Sequence, residues 1–252
     1  MQRNYRKYIR EIGVNIIIPM AGLGKRFQDD GFDKPKPSID INGIPMIQKA
    51  IESLDIDGKY IFITRNTEYS ENINQVLKKI KPDCVIKEID YVTDGPASTC
   101  NLVREYINNN DNLVVANCDQ IMWWSGSNFI SSCNASDYDG VIVTYTSQTT
   151  KNSYARLNKF GYVEELKEKE VISDISLNGI HFWKRGIDFI ESYDRMVKLN
   201  DKAPNGEYYV SLSYNHMIES GKKVGIYHIP NYQHNSVGTP DDLREYIKNE
   251  NA

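Results

Sequence analysis

A chain of 252 residues can bury a sizeable core, as one domain or as a domain carrying an insertion. Its 25% charged and 40% hydrophobic residues are ordinary for a globular protein. With 30 Lys and Arg against 34 Asp and Glu, the formal net charge is −4. That excludes a global basic field suited to nucleic acid or an anionic membrane, so any anion site has to be local. Cys84, Cys100, Cys118 and Cys133 form no C-x-x-C pair and predict reduced thiols in a cytoplasmic protein. No apolar run is long enough to span a bilayer. Residues 1–13 carry Arg3, Arg6, Lys7 and Arg10 without an apolar stretch, and read as an N-terminal extension.

In chain order, Val14, Ile16, Ile17 and Ile18 predict a buried strand, which feeds the loop Pro19-Met-Ala-Gly-Leu-Gly-Lys-Arg-Phe27. After Lys34-Pro-Lys-Pro37, the spacing of Ile47, Ala50, Ile51 and Leu54 predicts an amphipathic helix opened by Pro45. Residues 60–64 read as a strand, Ile73, Val76, Leu77 and Ile80 as a helix face, and 84–89 as a strand. Thr93-Asp-Gly-Pro-Ala-Ser98 breaks the chain, and Pro96 is suited to the first turn of a helix running to Ile107. A strand over 113–116 ends at Asn117-Cys-Asp-Gln120. This alternation predicts a mostly parallel sheet with helices on both faces and ligands at the carboxyl ends of its strands.

The second half is richer in strands, at 141–146, 154–157, 162–166 and 177–183, with a turn at 158–161. Helices follow over 186–199 and 209–220, then a strand over 223–228. Thr239 caps a last helix with acids in its first turn.

A strand feeding a glycine loop is a phosphate-cradle geometry, and Lys25, Arg26, Lys34 and Lys36 add positive charge beside it. The loop is no P-loop, because GxxxxGK[ST] is absent, and Phe27 stands where a dinucleotide fingerprint needs its third glycine. An ordinary βα turn with solvated lysines remains open from these residues alone. Asp119 ends a strand as either a turn residue or a metal ligand. Asp94 is a helix cap or an acceptor for an exocyclic amine such as cytosine N4. Glu168-Lys169 lies among Glu164, Glu165, Lys167 and Glu170, where a solvated charge run is the bland reading. Asp137-Tyr-Asp139 offers a D-x-D of the kind glycosyltransferases use, or only a polar turn before a strand.

The longer pattern is more specific. Pro-Met-Ala-Gly-x-Gly-x-Arg-Phe, then Lys36 and Gly43-Ile-Pro-Met-Ile47, resembles the start of nucleotide-sugar pyrophosphorylases and related nucleotidyltransferases. The resemblance covers roughly residues 14–247, and its text is nearest a branch acting in capsule biosynthesis. It implies a Rossmann-like, GT-A-like α/β fold with a mixed, mostly parallel sheet flanked by helices and a smaller β-rich part. It further implies a nucleotide-binding half, 14–145, and an acceptor-binding half, 146–252.

By the same resemblance, Met20, Ala21, Gly22, Leu23, Gly24 and Lys25 hold the nucleotide, and Arg26, Lys36 and Asp119 are catalytic. Asp119 binds Mg2+, with Asn117 beside the nucleotide, and Asp94, Gly95, Pro96 and Ala97 form the base-recognition turn. Lys169, Asn178, Glu207 and Tyr208 face the acceptor. CTP and a small phosphorylated acceptor are the implied substrates, and a homo-oligomer stays open. One departure matters: the family's second metal-binding aspartate, in D-x-G-T, is replaced by Ser236 in Asn235-Ser-Val-Gly-Thr239, which puts a second protein-bound Mg2+ in question.

Overall fold

Strand β1 (Val14–Met20) lies at the middle of the protein, described here over residues 12–250 of a computed structural model. Most of the expected N-terminal extension lies outside the described residues. Ile16, Ile17 and Ile18 are at most 1% exposed, because helices cover both faces of the sheet at this point. Helix α1 (Lys25–Asp29) follows, then the hairpin of β2 (Asp40–Ile41) and β3 (Ile44–Pro45), helix α2 (Met46–Leu54), strand β4 (Lys59–Arg65), helix α3 (Ser70–Ile80) and strand β5 (Val85–Ile89). Helices α4 (Pro96–Asn101) and α5 (Arg104–Ile107) precede β6 (Asn112–Ala116), β7 (Gln120–Met122), α6 (Gly126–Ala135) and β8 (Gly140–Thr146). Strands β9 (Ser153–Leu157), β10 (Val163–Glu168) and β11 (Ile175–Trp183) come next, then helices α7 (Gly186–Lys198) and α8 (Val210–Glu219). Strand β12 (Val224–His228), strand β13 (His234–Ser236) and helix α9 (Pro240–Glu250) complete the described chain.

The nine-stranded sheet runs β10-β9-β11-β6-β1-β4-β5, with β8 bridging β11 and β12. Pairing is parallel among β6, β1, β4 and β5 and between β8 and β12, and antiparallel around β11, β9 and β10. This is the expected α/β class: a mixed sheet with a parallel half and a smaller β-rich part.

Alternation along the strands feeds two cores. Ile17, Ile61, Ile63 and Val115 join the faces of α4, α5, α7 and α8. Ile16, Ile18, Phe62 and Val114 join α2, α3 and α6. A third cluster of Phe27, Ile39, Met46, Ile121, Val237 and Leu243 fastens α1 and α9 to the sheet's carboxyl edge. Each large apolar side chain so buried contributes about 1.5–3 kcal/mol.

Three local features differ from expectation. The helix foreseen over 96–107 breaks after Asn101, because Val103 leaves helical geometry (φ −118, ψ 25) to bury its side chain. Pro45 sits at the N-cap with ψ 139, one residue before the helix it opens. The two-stranded ribbon β7–β13 has no counterpart in the sequence pattern, since three-residue strands carry no periodicity of their own.

Candidate active site

The loop after β1 turns through Gly24, whose φ of 64° is left-handed and costs a glycine little. A Cβ there would stand 3.3 Å from the Lys36 Cβ, so this glycine admits the 34–37 segment against the loop. Pro35 and Pro37 flank Lys36, and Ser38 N–H donates to Pro35 O at 2.8 Å to close a 3-10 turn. This fixes the backbone that carries Lys36.

From the other side, β6 ends and presents Asp119. Lys36 Nζ donates to Asp119 Oδ2, and the two side chains are only 19% and 15% exposed. Burial alone would pull the Lys36 ammonium down; the Asp119 carboxylate more than offsets this and raises its pKa. Asp119 Oδ1 is buried with no hydrogen-bond partner. Val237 N–H donates to Asp119 O at 3.0 Å, and a Cβ on Gly238 would come within 2.8 Å of Asp119 Oδ2. In the ribbon, Ser236 pairs with Gln120, so the segment that lacks the second aspartate does lie beside Asp119.

Two cavities meet at this pair. The first, of 420 Å³, is lined by Gly22, Leu23, Gly24, Lys25, Val92, Gly95 and Glu207. The second, of 490 Å³, is lined by Asn117, Asp119, Tyr145, Glu168, Lys169, Asn178, His181, Tyr209, His234 and Asp242. Arg26, Lys36, Pro96 and Gly238 line both, so the two cations stand in the shared wall.

The first cavity is shaped by backbone. Gly95 has φ 115, and a Cβ on it would lie 2.7 Å from both Tyr208 N and Tyr208 O. That close approach allows Tyr208 N–H to donate to Asp94 O at 2.7 Å and Ala97 N–H to Tyr208 O at 3.0 Å. Thr93 and Thr99 hydroxyls both donate to Gly95 O, at 3.1 and 3.2 Å. The turn is thus held rigid on one wall, with half-exposed Leu23 and Val92 beside it.

The second cavity is shaped by side chains. Glu168 Oε2 accepts from Ser153 and from Ser211, the latter at 3.0 Å, and burial pushes its carboxyl pKa up. Lys169 is left-handed (φ 59), and its ammonium donates to the Tyr209 hydroxyl at 3.2 Å. Between Leu177 and His181 the β11–β8 register shifts. In this gap Gly179 (φ 96) lets the Asn117 side chain pack where a Cβ would stand 2.2 Å from its Nδ2. Asn178 Oδ1 accepts from Ile180 N–H at 2.9 Å, which steadies the bulge.

His181 is 6% exposed, and burial holds its pKa at about 3. His234 packs with its ring centroid 4.0 Å from that of Tyr145, the planes tilted by 32°, and its pKa is lowered to about 4 by burial, against the opposing pull of Asp119 and Asp242.

The structure brings most expected residues together but sorts some differently. Ala21, Gly22, Leu23, Gly24, Lys25, Gly95 and Pro96 line the first cavity, as does Glu207, which was expected on the acceptor side. Asn117, expected beside the nucleotide, lines the second cavity with Asp119, Lys169 and Asn178. Met20, Ala97 and Tyr208 are buried and line neither, Tyr208 because its backbone serves the Gly95 turn. The Asp94 carboxylate is 70% exposed and faces Lys202 at 3.4 Å. Lys34 is exposed and lines neither cavity.

Sequence reading did not single out Tyr145, His181, His234 and Asp242. The only hint lay in position: His181 follows Gly179 by two along a strand, and His234 precedes Ser236 by two.

A divalent cation fits Asp119 in part. Its buried, unpartnered Oδ1 is a hard oxygen donor aimed at no protein group, the ligand type Mg2+ takes alongside phosphate and water. No cluster of three or more His, Cys, Asp or Glu able to hold a metal exists among the described residues.

No family model and no curated protein matches this chain. Solved structures do. A nucleoside-diphosphate-sugar pyrophosphorylase from Vibrio cholerae RC9 is similar at 24% identity with a TM-score of 0.78, over 92% of this chain and 99% of that one. An inositol-1-phosphate CTP transferase from T. maritima is similar at 15% identity and TM-score 0.72, over 95% of this chain and 98% of that one. A UDP-glucose pyrophosphorylase complexed with UDP-glucose gives 15% identity and TM-score 0.73, over 95% and 98%. At these identities the likeness is one of fold, and that fold is the α/β architecture of nucleotidyltransferase structures.

Proposed function

We propose that this protein is a magnesium-dependent nucleotidyltransferase that transfers CMP from CTP to a small phosphorylated acceptor and releases pyrophosphate. The observation that carries this reading is the pair of adjoining cavities with Arg26 and Lys36 in their common wall. A nucleotide in the first and an acceptor in the second would meet at the two cations. Asp137 and Asp139 do not favour a glycosyltransferase: Lys223 pairs with Asp137 and Lys222 with Asp139, and neither acid lines a cavity at this wall.

In this mechanism an acceptor phosphate oxygen attacks the α-phosphorus of CTP in line, and the bond to the β-phosphate oxygen breaks. A phosphate nucleophile is already ionised, so positioning and charge neutralisation do the work. The glycine loop's N–H groups cradle the triphosphate, Gly95 admits the base, and Leu23 and Val92 flank it. Arg26 offsets charge on the departing pyrophosphate, and Lys36 charge at the α-phosphate. Bound through Asp119, Mg2+ would add positive charge to the triphosphate oxygens. Lys169 and Tyr209 hold the acceptor, and Glu168 between Ser153 and Ser211 offers a carboxylate to its far end.

Phosphoglutamine is the leading acceptor, in modification of a capsular polysaccharide. Support comes from the sequence text, which resembles CTP:phosphoglutamine cytidylyltransferase of the bacterial O-methyl phosphoramidate pathway, and from a second cavity that mixes carboxylate, amide and ammonium groups. Pyrophosphate release over four NTPs, each with phosphoglutamine, glucose 1-phosphate or phosphocholine, tests this. CTP with phosphoglutamine should give the highest kcat/KM. A preference for the sugar phosphate would move the acceptor to a nucleotide-sugar pathway, and silence in every well would end the nucleotidyltransferase reading.

A further inference from the structure

We propose that in the free protein Lys36 occupies the cation position of Asp119, so that a divalent ion enters only together with the nucleotide. The inference rests on the reading that the first cavity takes a triphosphate.

The starting observation is the ion pair itself: Lys36 Nζ donates to Asp119 Oδ2, with both side chains largely withdrawn from water. A carboxylate already neutralised by an ammonium attracts a dication poorly, and an ammonium and a dication on one carboxylate repel each other. Asp119 also has little help. Ser236 stands on the neighbouring strand with a hydroxyl, which itself accepts from Gly238 N–H at 3.3 Å. Asn235 donates its amide nitrogen to Ile121 O at 3.2 Å, and its neutral amide oxygen is a weaker ligand than a carboxylate. Of these three, only Asp119 brings negative charge to hold the ion against Lys36.

Lys36 has a second place to go. Its backbone is fixed between two prolines, but its flexible stem reaches a wall common to both cavities. The ammonium lies 5.9 Å from the Phe27 ring centroid, a weak hold that a phosphate outcompetes. Phosphate oxygens arriving in the first cavity draw Lys36 off Asp119. That exposes Oδ2 beside Oδ1, which has no partner to give up. The arriving phosphates also complete the donor set. Nucleotide and ion therefore bind with positive coupling, and by linkage each strengthens the other.

The test is titration of Mn2+ alone into nucleotide-free protein, read by calorimetry and by loss of the free-ion EPR signal. Wild type and Lys36→Arg should bind weakly. Lys36→Met should bind about tenfold tighter or more, the factor expected if the ammonium holds Asp119 for about nine-tenths of the time. Lys36→Met combined with Asp119→Asn should lose that gain. If Lys36→Met is too unstable to titrate, Lys36→Gln replaces it, and Mn2+ should raise the melting temperature of Lys36→Gln but not of wild type. Equal Mn2+ affinity in wild type and Lys36→Met overturns the proposal. So does a gain that survives Asp119→Asn. Pyrophosphate release by wild type, measured separately, shows whether such a failure reaches the nucleotidyltransferase reading or stops at the gate.

Discussion

The two cavities are built by different means. The first is made of backbone: the loop at Gly22–Gly24, the Gly95 turn, and the main chain of Tyr208 clamped against it. It comes from the parallel half, at carboxyl ends of strands, where loops are the only material available. The second is made of side chains contributed by β8, β10, β11, β13, α8 and α9. It has a buried histidine, His181, the half-buried His234, a buried glutamate and a network of serines and asparagines. A surface of N–H groups and glycines suits a ligand part common to many substrates, such as a triphosphate. A surface of individual side chains suits the part that differs between substrates. This division predicts that the first cavity is vulnerable to backbone change and the second to side-chain and protonation change.

The largest effect should come from Gly95→Ala. Its φ of 115 is strained for alanine, and the new Cβ meets main-chain atoms of Tyr208 that cannot rotate away. Strain of about 1–3 kcal/mol plus two weakened hydrogen bonds of about 1 kcal/mol each gives a loss of about 3–5 kcal/mol, read in denaturant melts. Gly22→Ala is the control: its Cβ has nothing within 4 Å, so stability should hold. If both variants melt like wild type, the first cavity is not a backbone device.

The second cavity should answer to pH. His181 titrates at about 3 in the fold and, like free histidine, near 6.5 when unfolded. Between those values the unfolded chain takes up a proton that the fold refuses, so stability falls as pH drops through 6.5 towards 3. Above 6.5 the group contributes nothing. The slope is up to about 1.4 kcal/mol per pH unit, or about 2 kcal/mol lost by pH 5. His234, lowered to about 4, adds a similar slope, so His181→Gln should remove about half of the combined slope when melts at pH 7 and pH 5 are compared. An unchanged slope would assign the acid sensitivity elsewhere.

The same contrast explains what the sequence disclosed. Strands β1, β4 and β6 were legible because burial on both faces leaves unbroken runs such as Ile16-Ile-Ile18 and Tyr60-Ile-Phe-Ile63. The glycine loop and the Gly95 turn were legible because special backbone geometry demands glycine and proline at fixed places. The histidines were not, because Tyr145, His181 and His234 become neighbours only when β8, β11 and β13 converge on the second cavity. Glu168 looked like one member of a solvated charge run; it shares the inward face with Leu166, while a register shift between Val163 and Glu165 leaves Glu164 in solvent. The exchange of Asn117 and Glu207 between cavities has the same origin. Strand ends are predictable, but which side of a shared wall a side chain falls on depends on packing.

A smaller effect separates the cavities directly. Lys169→Ala should raise the acceptor KM about tenfold and leave the nucleotide KM within about twofold, because Lys169 lines only the second cavity. Equal weakening of both substrates would mean that Lys169 supports the site as a whole.

The smallest effect is the most specific. Asp94 lies in the turn proposed to recognise the base, and from sequence its carboxylate is a natural acceptor for a cytosine amine. In the structure that carboxylate is 70% exposed and faces Lys202, while only the Asp94 main-chain carbonyl serves the turn, by accepting from Tyr208 N–H. An exposed ion pair of this kind is worth at most about 1 kcal/mol. If the first cavity works through backbone, Asp94→Ala keeps the carbonyl and changes the ratio of kcat/KM for CTP over UTP by less than about twofold. A side-chain reader would behave otherwise, because losing its hydrogen bond leaves the cytosine amine unpaired and costs discrimination of about 1–3 kcal/mol. A tenfold fall in the CTP over UTP ratio would therefore place base choice in the Asp94 carboxylate, and the first cavity would then select its ligand as the second does.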